Sequence, residues 1–504
     1  MIKYYYILLV TIKLLAERRF SMGNSSRFYI DIMALHDEVT GSCILCIIKF
    51  PNGTTKRVLV DCGLYQEVEY SELNKNLPFN VPNIDYVIVT HNHVDHTGRL
   101  PLLVKQGYRG DIHMSNTTSK LISNALSDSY KVLKNKAKMA NEPQLYSDTD
   151  VDETLKLVKG HNYEETFHLT DSTEKNKDIK LTFFMNGHLP GAIIILMQVK
   201  YWDNSGKHYE DINMLFTGDY NNKNIFFDVK PIAKWVHQLP ISIIQESTYG
   251  DMDSTQIEYV FEKNVLNAIS QGKEIVVPVF SLGRAQEIMY ILKTWQMQGK
   301  LGTDIPIYLD GKLAWGYTNI YLNDGLDNKE ECKDFIPENF SYVSDFEMRN
   351  SIMNDGLCKI ILTTSGMGSY GPAQTYLPAY IKKPNALIHF TGYCAEGTLG
   401  RRLYDCATED KVDLCGLQVK KLADVQFTSE FSAHAKADEL IDFLRPFEDI
   451  KLLLVNHGEY EKKETYANRV IDEVDPKNVG ILGRDYFFRI DGYGLIKPIS
   501  TKFK

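Results

Sequence analysis

The feature of this 504-residue chain that most constrains its fold is a short run of metal-ligand side chains directly after an apolar segment. The run is His91-Asn92-His93-Val94-Asp95-His96, and residues 86–90 before it have the pattern of a strand. Its three imidazoles and one carboxylate supply the nitrogen and oxygen ligands that zinc or a similar divalent ion prefers. Because they cannot all bind one ion in comfortable geometry, the run predicts two metal ions that share one site.

Three further segments place polar side chains after strand-like runs. Asp61 follows residues 57–60 and begins an Asp-Cys-Gly sequence, His188 lies in residues 186–192, and Asp219 lies in residues 216–220. Taken singly, an Asp-Cys-Gly or a Gly-Asp after a strand is more often only a turn. Found in this order with the histidine run, the four segments resemble the motifs of the metallo-β-lactamase superfamily.

The second half of the chain resembles the β-CASP branch of that superfamily, the nucleases of nucleic-acid processing. Three motifs carry the resemblance: Glu246 in residues 245–250, His434 in Phe-Ser-Ala-His, and His457 in Asn-His-Gly-Glu. The segments at residues 278–287, 308–311, 365–367 and 392–398 also look like the domain inserted in that branch. A histidine at position 457, where an aliphatic residue could stand, points to RNA-cleaving members instead of the DNA-repair members.

The resemblance implies a set of ligands for two divalent metal ions, with zinc expected. The set is His91, His93 and His188 for one ion, Asp95, His96 and His457 for the other, and Asp219 as a bridge. Asp61 would lie behind these ligands and fix the bridging hydroxide and nearby histidines. Asp95 and Asp61 therefore count among the catalytic groups as well.

The implied reaction is hydrolysis of an RNA phosphodiester bond by hydroxide held between two metal ions. It is expected to be endonucleolytic and to serve RNA processing or decay. His434 would protonate the leaving oxygen, and Glu246 would orient His434 or tune its pKa. Products with a 5′-phosphate and a 3′-hydroxyl follow from the resemblance alone. Weaker candidates for phosphate contacts in the inserted domain are Arg284, Lys312, Arg401 and Arg402.

The alternation of strands and helices predicts an α/β protein with an αββα sandwich and a separate parallel sheet. The resemblance implies that the sandwich is a metallo-β-lactamase domain and that the parallel sheet belongs to a β-CASP domain inserted in it. The predicted parts of the chain are an N-terminal extension (residues 1–23), the first part of the sandwich (24–246), the inserted domain (247–425) and the second part of the sandwich (426–504). Residues 134–152 are expected to be an exposed helix end and a loop. Residues 317–351 are expected to be irregular.

Composition limits the partners and the compartment. A net charge of −9 repels polyanions, so single-stranded RNA, the expected partner, requires a local basic groove. Scattered cysteines suit a reducing cytoplasm, and the one CxxC, Cys43 and Cys46, is expected to be buried in a strand. Apolar residues 4–15 fall short of the ~20 residues of a membrane span, so no stable membrane association is expected, and a homodimer is a candidate assembly.

Three other functions compete with a ribonuclease. A small-molecule metallo-hydrolase explains the metal ligands but leaves Glu246, His434 and the inserted domain without a purpose. A catalytically silent scaffold of an RNA-processing complex would have lost metal ligands, whereas this chain keeps each one. A DNA nuclease is disfavoured by His457.

Overall fold

The computed structural model describes residues 28–500, with short gaps at 38, 68–69, 171–173, 175, 210, 324–325, 327, 393, 395–396, 408–410, 415–416 and 485. The predicted extension of residues 1–23 therefore lies outside the described residues, as do Tyr393 and Glu396 of the segment at 392–398. Within the described residues, no helix combines the length and the apolar character that crossing a bilayer requires.

The first part of the chain alternates short strands with helices. Its strands are β1 (Tyr29–Ala34), β2 (Ile44–Lys49), β3 (Thr55–Val60), β4 (Tyr86–Ile88), β5 (Ile112–Ser115), β6 (Val158–His161), β7 (Thr166–His168), β8 (Lys177–Met185), β9 (Ile193–Tyr201), β10 (Ile212–Phe216) and β11 (Pro240–Glu246). Its helices are α1 (Val94–Thr97), α2 (Leu100–Lys105), α3 (Asn116–Ala140), α4 (Asp148–Lys156) and α5 (Lys234–His237).

The remainder continues the alternation. Its strands are β12 (Glu274–Pro278), β13 (Ile307–Asp310), β14 (Phe340–Tyr342), β15 (Lys359–Thr363), β16 (Ala386–Phe390), β17 (Lys411–Leu414), β18 (Leu417–Lys420), β19 (Asp424–Phe427), β20 (Asp449–Asn456), β21 (Val479–Ile481), β22 (Tyr486–Asp491) and β23 (Gly494–Ser500). Its helices are α6 (Phe261–Ser270), α7 (Arg284–Met297), α8 (Lys312–Asn323), α9 (Phe346–Asn354), α10 (Ala373–Tyr380), α11 (Leu399–Asp405), α12 (Ala437–Leu444) and α13 (Tyr460–Glu473).

Two sheets form a sandwich. In the described residues, one has the strand order β23-β22-β1-β2-β3-β4-β5-β6 and the other β21-β20-β11-β10-β9-β8-β7. Apolar side chains of both inner faces, such as Ile32, Phe183 and Ile195, form the shared core, and helices cover each outer face. This is the predicted αββα arrangement, and the predicted fold class is confirmed.

The inserted lobe is built on a third sheet with the order β14-β13-β15-β12-β16-β19, whose strand pairs are all parallel. Helices α6, α7 and α8 cover one face, and α9, α10 and α11 cover the other, because strands that are apolar on both faces must be buried on both. After the lobe the chain returns to the sandwich: β20 pairs with β11, and β22 pairs with β1. The boundaries at 246/247 and 425/426 remain predictions.

Two predictions of irregular structure are wrong in part. The expected helix end and loop are found at residues 134–140 and 141–147. Residues 148–156 form helix α4, which begins with a capping box in which Ser147 and Asp150 satisfy each other's backbone N–H groups. Residues 317–351 contain the end of α8, strand β14 and the start of α9. The Asn- and Asp-rich composition suggested loops there, yet Asp345 caps α9, and Tyr317 and Tyr321 bury one face of α8.

A buried ionic cluster joins the amino ends of the lobe's strands. The Glu274 carboxylate, 5% exposed, accepts hydrogen bonds from Lys383 Nζ at 2.7 Å and Tyr380 Oη at 2.8 Å, and lies 3.3 Å from Lys359 Nζ. Lys359 is fully buried, and its charge is compensated by this carboxylate together with that of Asp355, with which it also forms an ion pair.

We therefore expect Glu274→Gln to destabilise the lobe by about 3 kcal/mol. This is the lower end of the ~3–5 kcal/mol that follows the removal of one partner from a buried ion pair, because Asp355 still pairs with Lys359. The matched control is Glu262→Gln, because Glu262 forms an exposed pair with Lys300 at 2.7 Å that salt and water screen. Thermal unfolding followed by circular dichroism measures both. Equal melting temperatures for the two variants would contradict this expectation.

Candidate metal centre

The predicted ligands lie where strands of both sheets end. The histidine run follows β4, His188 follows β8, Asp219 follows β10 and His457 follows β20. The turns are tight: His457 has a φ of +46°, in the left-handed region that side chains rarely adopt. The fold thus brings residues that are more than 360 positions apart to one edge of the sandwich.

Gly63 explains the Asp-Cys-Gly sequence that follows β3. A Cβ atom at Gly63 would lie 1.5 Å from the carbonyl oxygen of Asp95, so only glycine allows the two segments to touch. A backbone hydrogen bond stabilises the contact between the two segments: Cys62 N donates to the carbonyl of His96 at 2.8 Å. Asp61 is held directly behind the histidine run as a result.

Asp219 lies at the middle of the cluster, and its two oxygens face different histidines. Oδ2 is 3.6 Å from His91 Nε2 and 3.7 Å from His188 Nε2. Oδ1 is 3.3 Å from both His96 Nε2 and His457 Nε2. This division matches a carboxylate that bridges two ions.

The opposite ring nitrogens are fixed by hydrogen bonds. His96 Nδ1 donates to Asp61 Oδ2 at 2.7 Å, and Asp61 also accepts from the backbone N and hydroxyl of Thr90, both at 2.8 Å. His457 Nδ1 lies 3.1 Å from Thr248 Oγ1, and His188 Nδ1 lies 3.0 Å from a backbone carbonyl. Such contacts fix each ring's tautomer and direct Nε2 into the centre.

These residues fit a pair of metal ions. The groups able to hold an ion, with ligand atoms within 4.8 Å of one another, are His91, His93, His188 and Asp219; Asp95, His96 and His457; and Asp219, His434 and His457. Several inward atoms are buried and have no hydrogen-bond partner among the described residues: Nε2 of His91, His96 and His457, and Oδ1 of Asp219. Buried polar atoms are rarely left unsatisfied, so this set of inward atoms fits the binding of cations.

Electrostatics prepares the nitrogens to act as ligands. Burial lowers the pKa of His91 and His188 well below the usual range, and it lowers the pKa of His457 to about 3. The neutral imidazole is the form that binds metal. Burial opposes ionisation of Asp219, but the neighbouring His457 and His96 outweigh it and hold the pKa of this carboxyl well below its usual value.

His434 stands beside the ligands and is paired with a carboxylate. Its Nδ1 lies 2.8 Å from Glu246 Oε2 and 2.9 Å from Oε1, and its Nε2 lies 3.9 Å from Asp219 Oδ2. Burial disfavours the protonated ring, but the charge of Glu246 overcomes this effect and raises the pKa of His434. His434 thus favours its protonated form, whereas His91, His188 and His457 favour the neutral form. His96 resembles His434 in this respect, because Asp219 and Asp61 outweigh its burial and raise its pKa.

A cleft of about 1000 Å³ opens over the centre, between the sandwich and the inserted lobe. Its lining includes His93, Asp95, His188, Asp219, His434 and His457. The lobe contributes aromatic side chains and hydroxyls to the same space, including Phe280, Tyr342 and Ser365. The cleft therefore gives an extended molecule access to the centre.

The cleft meets the expectation of a basic groove only in part. Its cations are Lys136, Lys223, Arg284, Lys312, Arg349 and Lys436. Three of them are neutralised by carboxylates at 2.6–2.8 Å, as Arg284 is by Glu287. Lys312 is exposed and forms no ion pair within the described ranges. Arg401 and Arg402 do not line the cleft; they lie on α11 near Asp405 and Asp413.

Sequence reasoning missed the residues that support the ligands. Thr90 and Thr248 hold Asp61 and His457 through their hydroxyls. Thr248 lies within the motif at residues 245–250 and Thr90 directly precedes the histidine run, but neither residue was assigned a role. Asn92 donates a hydrogen bond to the hydroxyl of Tyr317 in the inserted lobe, 225 positions away. The position of Asn92 inside the histidine run was the one feature of the sequence that could have indicated a role for it.

Comparisons with known proteins agree with this geometry. Residues 40–171 match the metallo-beta-lactamase superfamily, 285–403 the Beta-Casp domain, and 418–481 the Zn-dependent metallo-hydrolase RNA specificity domain. Ribonuclease TTHA0252 of Thermus thermophilus is 30% identical over 436 residues, which cover 84% of this chain and 92% of that protein. The chain therefore belongs to the β-CASP branch of the metallo-β-lactamase superfamily.

Two archaeal relatives extend the comparison. Transcription termination factor FttA of Methanosarcina mazei is 32% identical over 81% of this chain, and the match spans 63% of that factor's length. An RNase J-like protein of Methanocaldococcus jannaschii is 29% identical over 82% of this chain and 89% of its own length. The predicted family is confirmed, and at the level of the family so is the predicted class, a metal-dependent hydrolase that acts on RNA.

The geometry predicts which histidines control metal content. His457→Ala should lower bound metal from about two ions per chain to about one, since a four-coordinate site rarely survives the loss of a protein ligand. His113→Ala is the matched control, because His113 is also buried but pairs with His161 at 3.0 Å, outside the centre. Elemental analysis gives the stoichiometry. Equal metal content in the two variants would rule out His457 as a ligand.

Proposed function

We propose that this protein is a metal-dependent endoribonuclease whose centre cleaves single-stranded RNA in the cytoplasm. The observation that carries the proposal is the pairing of Glu246 with His434 beside Asp219, at the base of a cleft shared with the inserted lobe. A small-molecule hydrolase would need the metal ligands alone. An acid beside the ligands and a long cleft suit a polymeric phosphodiester with a poor leaving group.

In this proposal the ligands form two groups, one on the side of each carboxylate oxygen of Asp219. His91, His93 and His188 hold one zinc ion, and Asp95, His96 and His457 hold the other. When bound, the two ions supply a hydroxide nucleophile at neutral pH and offset charge on the phosphate. Asp61 keeps His96 in the tautomer that leaves Nε2 free for its ion.

The chain's own side chains complete the reaction. His434 donates the proton on Nε2 to the leaving oxygen, while Nδ1–H stays hydrogen-bonded to Glu246. Glu246 is itself fixed, because it accepts a hydrogen bond from the backbone N of Tyr220. Glu246 thus orients the acid and stabilises its protonated form without touching the substrate.

The cleft favours single strands. Tyr249, Phe280 and Tyr342 line it and can stack on bases, which contributes about 1–3 kcal/mol per base in single-strand binding. Lys312, exposed and unpaired among the described side chains, is proposed to contact phosphate. Free cysteines, including the buried Cys43 and Cys46, suit a reducing cytoplasm. A homodimer remains a prediction.

The direct test incubates zinc-loaded protein with single-stranded RNA, duplex RNA and single-stranded DNA of one sequence, labelled at either end. Cleavage of the single-stranded RNA at internal positions, leaving 5′-phosphates and abolished by a chelator, is the expected result. Asp219→Asn is the inactive control, since it removes the charge shared by both groups of ligands. Cleavage of DNA at an equal rate, or RNA cleavage that persists in the chelator, would contradict the proposal.

A second test separates acid catalysis from metal binding at His434, which also lies within reach of an ion. His434→Ala should slow RNA cleavage about 10²–10⁴-fold, the usual contribution of a general acid. It should keep both metal ions and its affinity for RNA.

The loss should shrink when sulfur replaces the leaving oxygen, because a thiolate departs with little need for a proton. His457→Ala serves as the comparison, since the loss of a ligand should lower metal content and should not be rescued by sulfur. If His434→Ala loses as much metal as His457→Ala, His434 is a ligand and the acid lies elsewhere.

A further inference from the structure

The histidine run is tied to the inserted lobe by one buried hydrogen bond. Asn92 Nδ2 donates to Tyr317 Oη at 3.0 Å. Both side chains are buried, at 3% and 2% exposure. Asn92 lies between the ligands His91 and His93, and Tyr317 lies on α8 of the lobe. The contact therefore joins the two bodies of the fold directly at the metal centre.

The orientation of Asn92 rests on this bond. Its Oδ1 is buried and has no partner within the described part of the chain. With the Tyr317 hydroxyl removed, the buried amide would lose its hydrogen-bond partner among the described residues. An unmade hydrogen bond of this kind costs far more than an exposed one, so the backbone of the run would have to shift to relieve it.

A shift at Asn92 reaches both of its neighbours. His91 and His93 belong to one group of candidate ligands, and their ring centroids lie only 4.9 Å apart. The ligands of a catalytic metal need close control of position, and a small displacement can reduce the rate strongly. The lobe thus contributes to the geometry of an ion to which it supplies no ligand.

We propose that Tyr317 is a positioning residue of the metal centre, which acts through Asn92 to hold His91 and His93 in place when the lobe is docked on the sandwich. The inference rests on the proposed function, because it assumes that these histidines hold a catalytic ion. It goes beyond that function by assigning the inserted lobe a part in the chemical step as well as in binding RNA.

The test compares two tyrosines of one helix. Tyr317→Phe removes the hydroxyl that holds Asn92. Tyr321→Phe is the matched control, because Tyr321 lies one turn further along α8, is equally buried, and has a hydroxyl with no partner among the described residues. The substrates are bis(p-nitrophenyl) phosphate and single-stranded RNA, and zinc affinity is measured by competition with a chromophoric chelator.

Tyr317→Phe should lower kcat for both substrates about 10- to 100-fold, in line with the loss of a buried hydrogen-bond partner, and leave KM nearly unchanged. Zinc affinity should fall in parallel, while Tyr321→Phe should match the wild type in both kcat and zinc affinity. A purely structural role would lower the melting temperature of Tyr317→Phe without changing kcat or zinc affinity well below that temperature, and this result would overturn the proposal.

A double-mutant cycle tests the route through Asn92. If Tyr317 acts through Asn92, then the Asn92→Ala/Tyr317→Phe protein should be no slower than Asn92→Ala alone; additive losses would overturn the proposal. The zinc measurement keeps this inference separate from the proposed function. Wild-type protein that binds zinc but cleaves no RNA would refute the ribonuclease proposal alone, whereas protein that binds no zinc would refute both.

Discussion

The structure depends on one carboxylate that faces two sets of imidazoles. Asp219 presents Oδ2 to His91 and His188 and Oδ1 to His96 and His457, all at 3.3–3.7 Å. A cluster of this kind is costly to bury without cations, so the surrounding protein must be arranged to hold it. That arrangement consists of the threonine hydroxyls, Asp61 and the close approach at Gly63. Together they direct ring nitrogens toward Asp219.

The sandwich provides the common edge at which these groups meet, and the lobe closes the space above them. Carboxyl ends of strands from both sheets deliver the ligands, and the return of the chain after the lobe adds His434 and His457. This topology gives each part of the chain a different role. In the proposed function, the sandwich would hold the ions and the last part of the chain would supply the acid. The lobe forms the opposite wall of the cleft and contacts Asn92.

Much of this could be predicted from the sequence, because ligands have a fixed chemistry and follow strands at short spacing. The histidine run, Asp61, His188, Asp219 and His457 all lie in the cluster where the structure places them. What could not be predicted depends on tertiary contacts. Helix α4 and the elements of residues 317–351 are polar in composition and become ordered through caps and one buried face. Arg401 was predicted to contact phosphate from its charge alone, and the charge of a side chain does not indicate which surface it faces.

The late position of His457 has a consequence for synthesis of the chain. A nascent polypeptide that has emerged only through β16 already contains the complete histidine run and Asp219, but it lacks both His434 and the strand that carries His457. In the proposed function, the second ion would then lack a ligand, and no acid would stand beside it. The nascent chain therefore cannot cleave RNA until β20 has paired with β11 and brought His457 to the cluster.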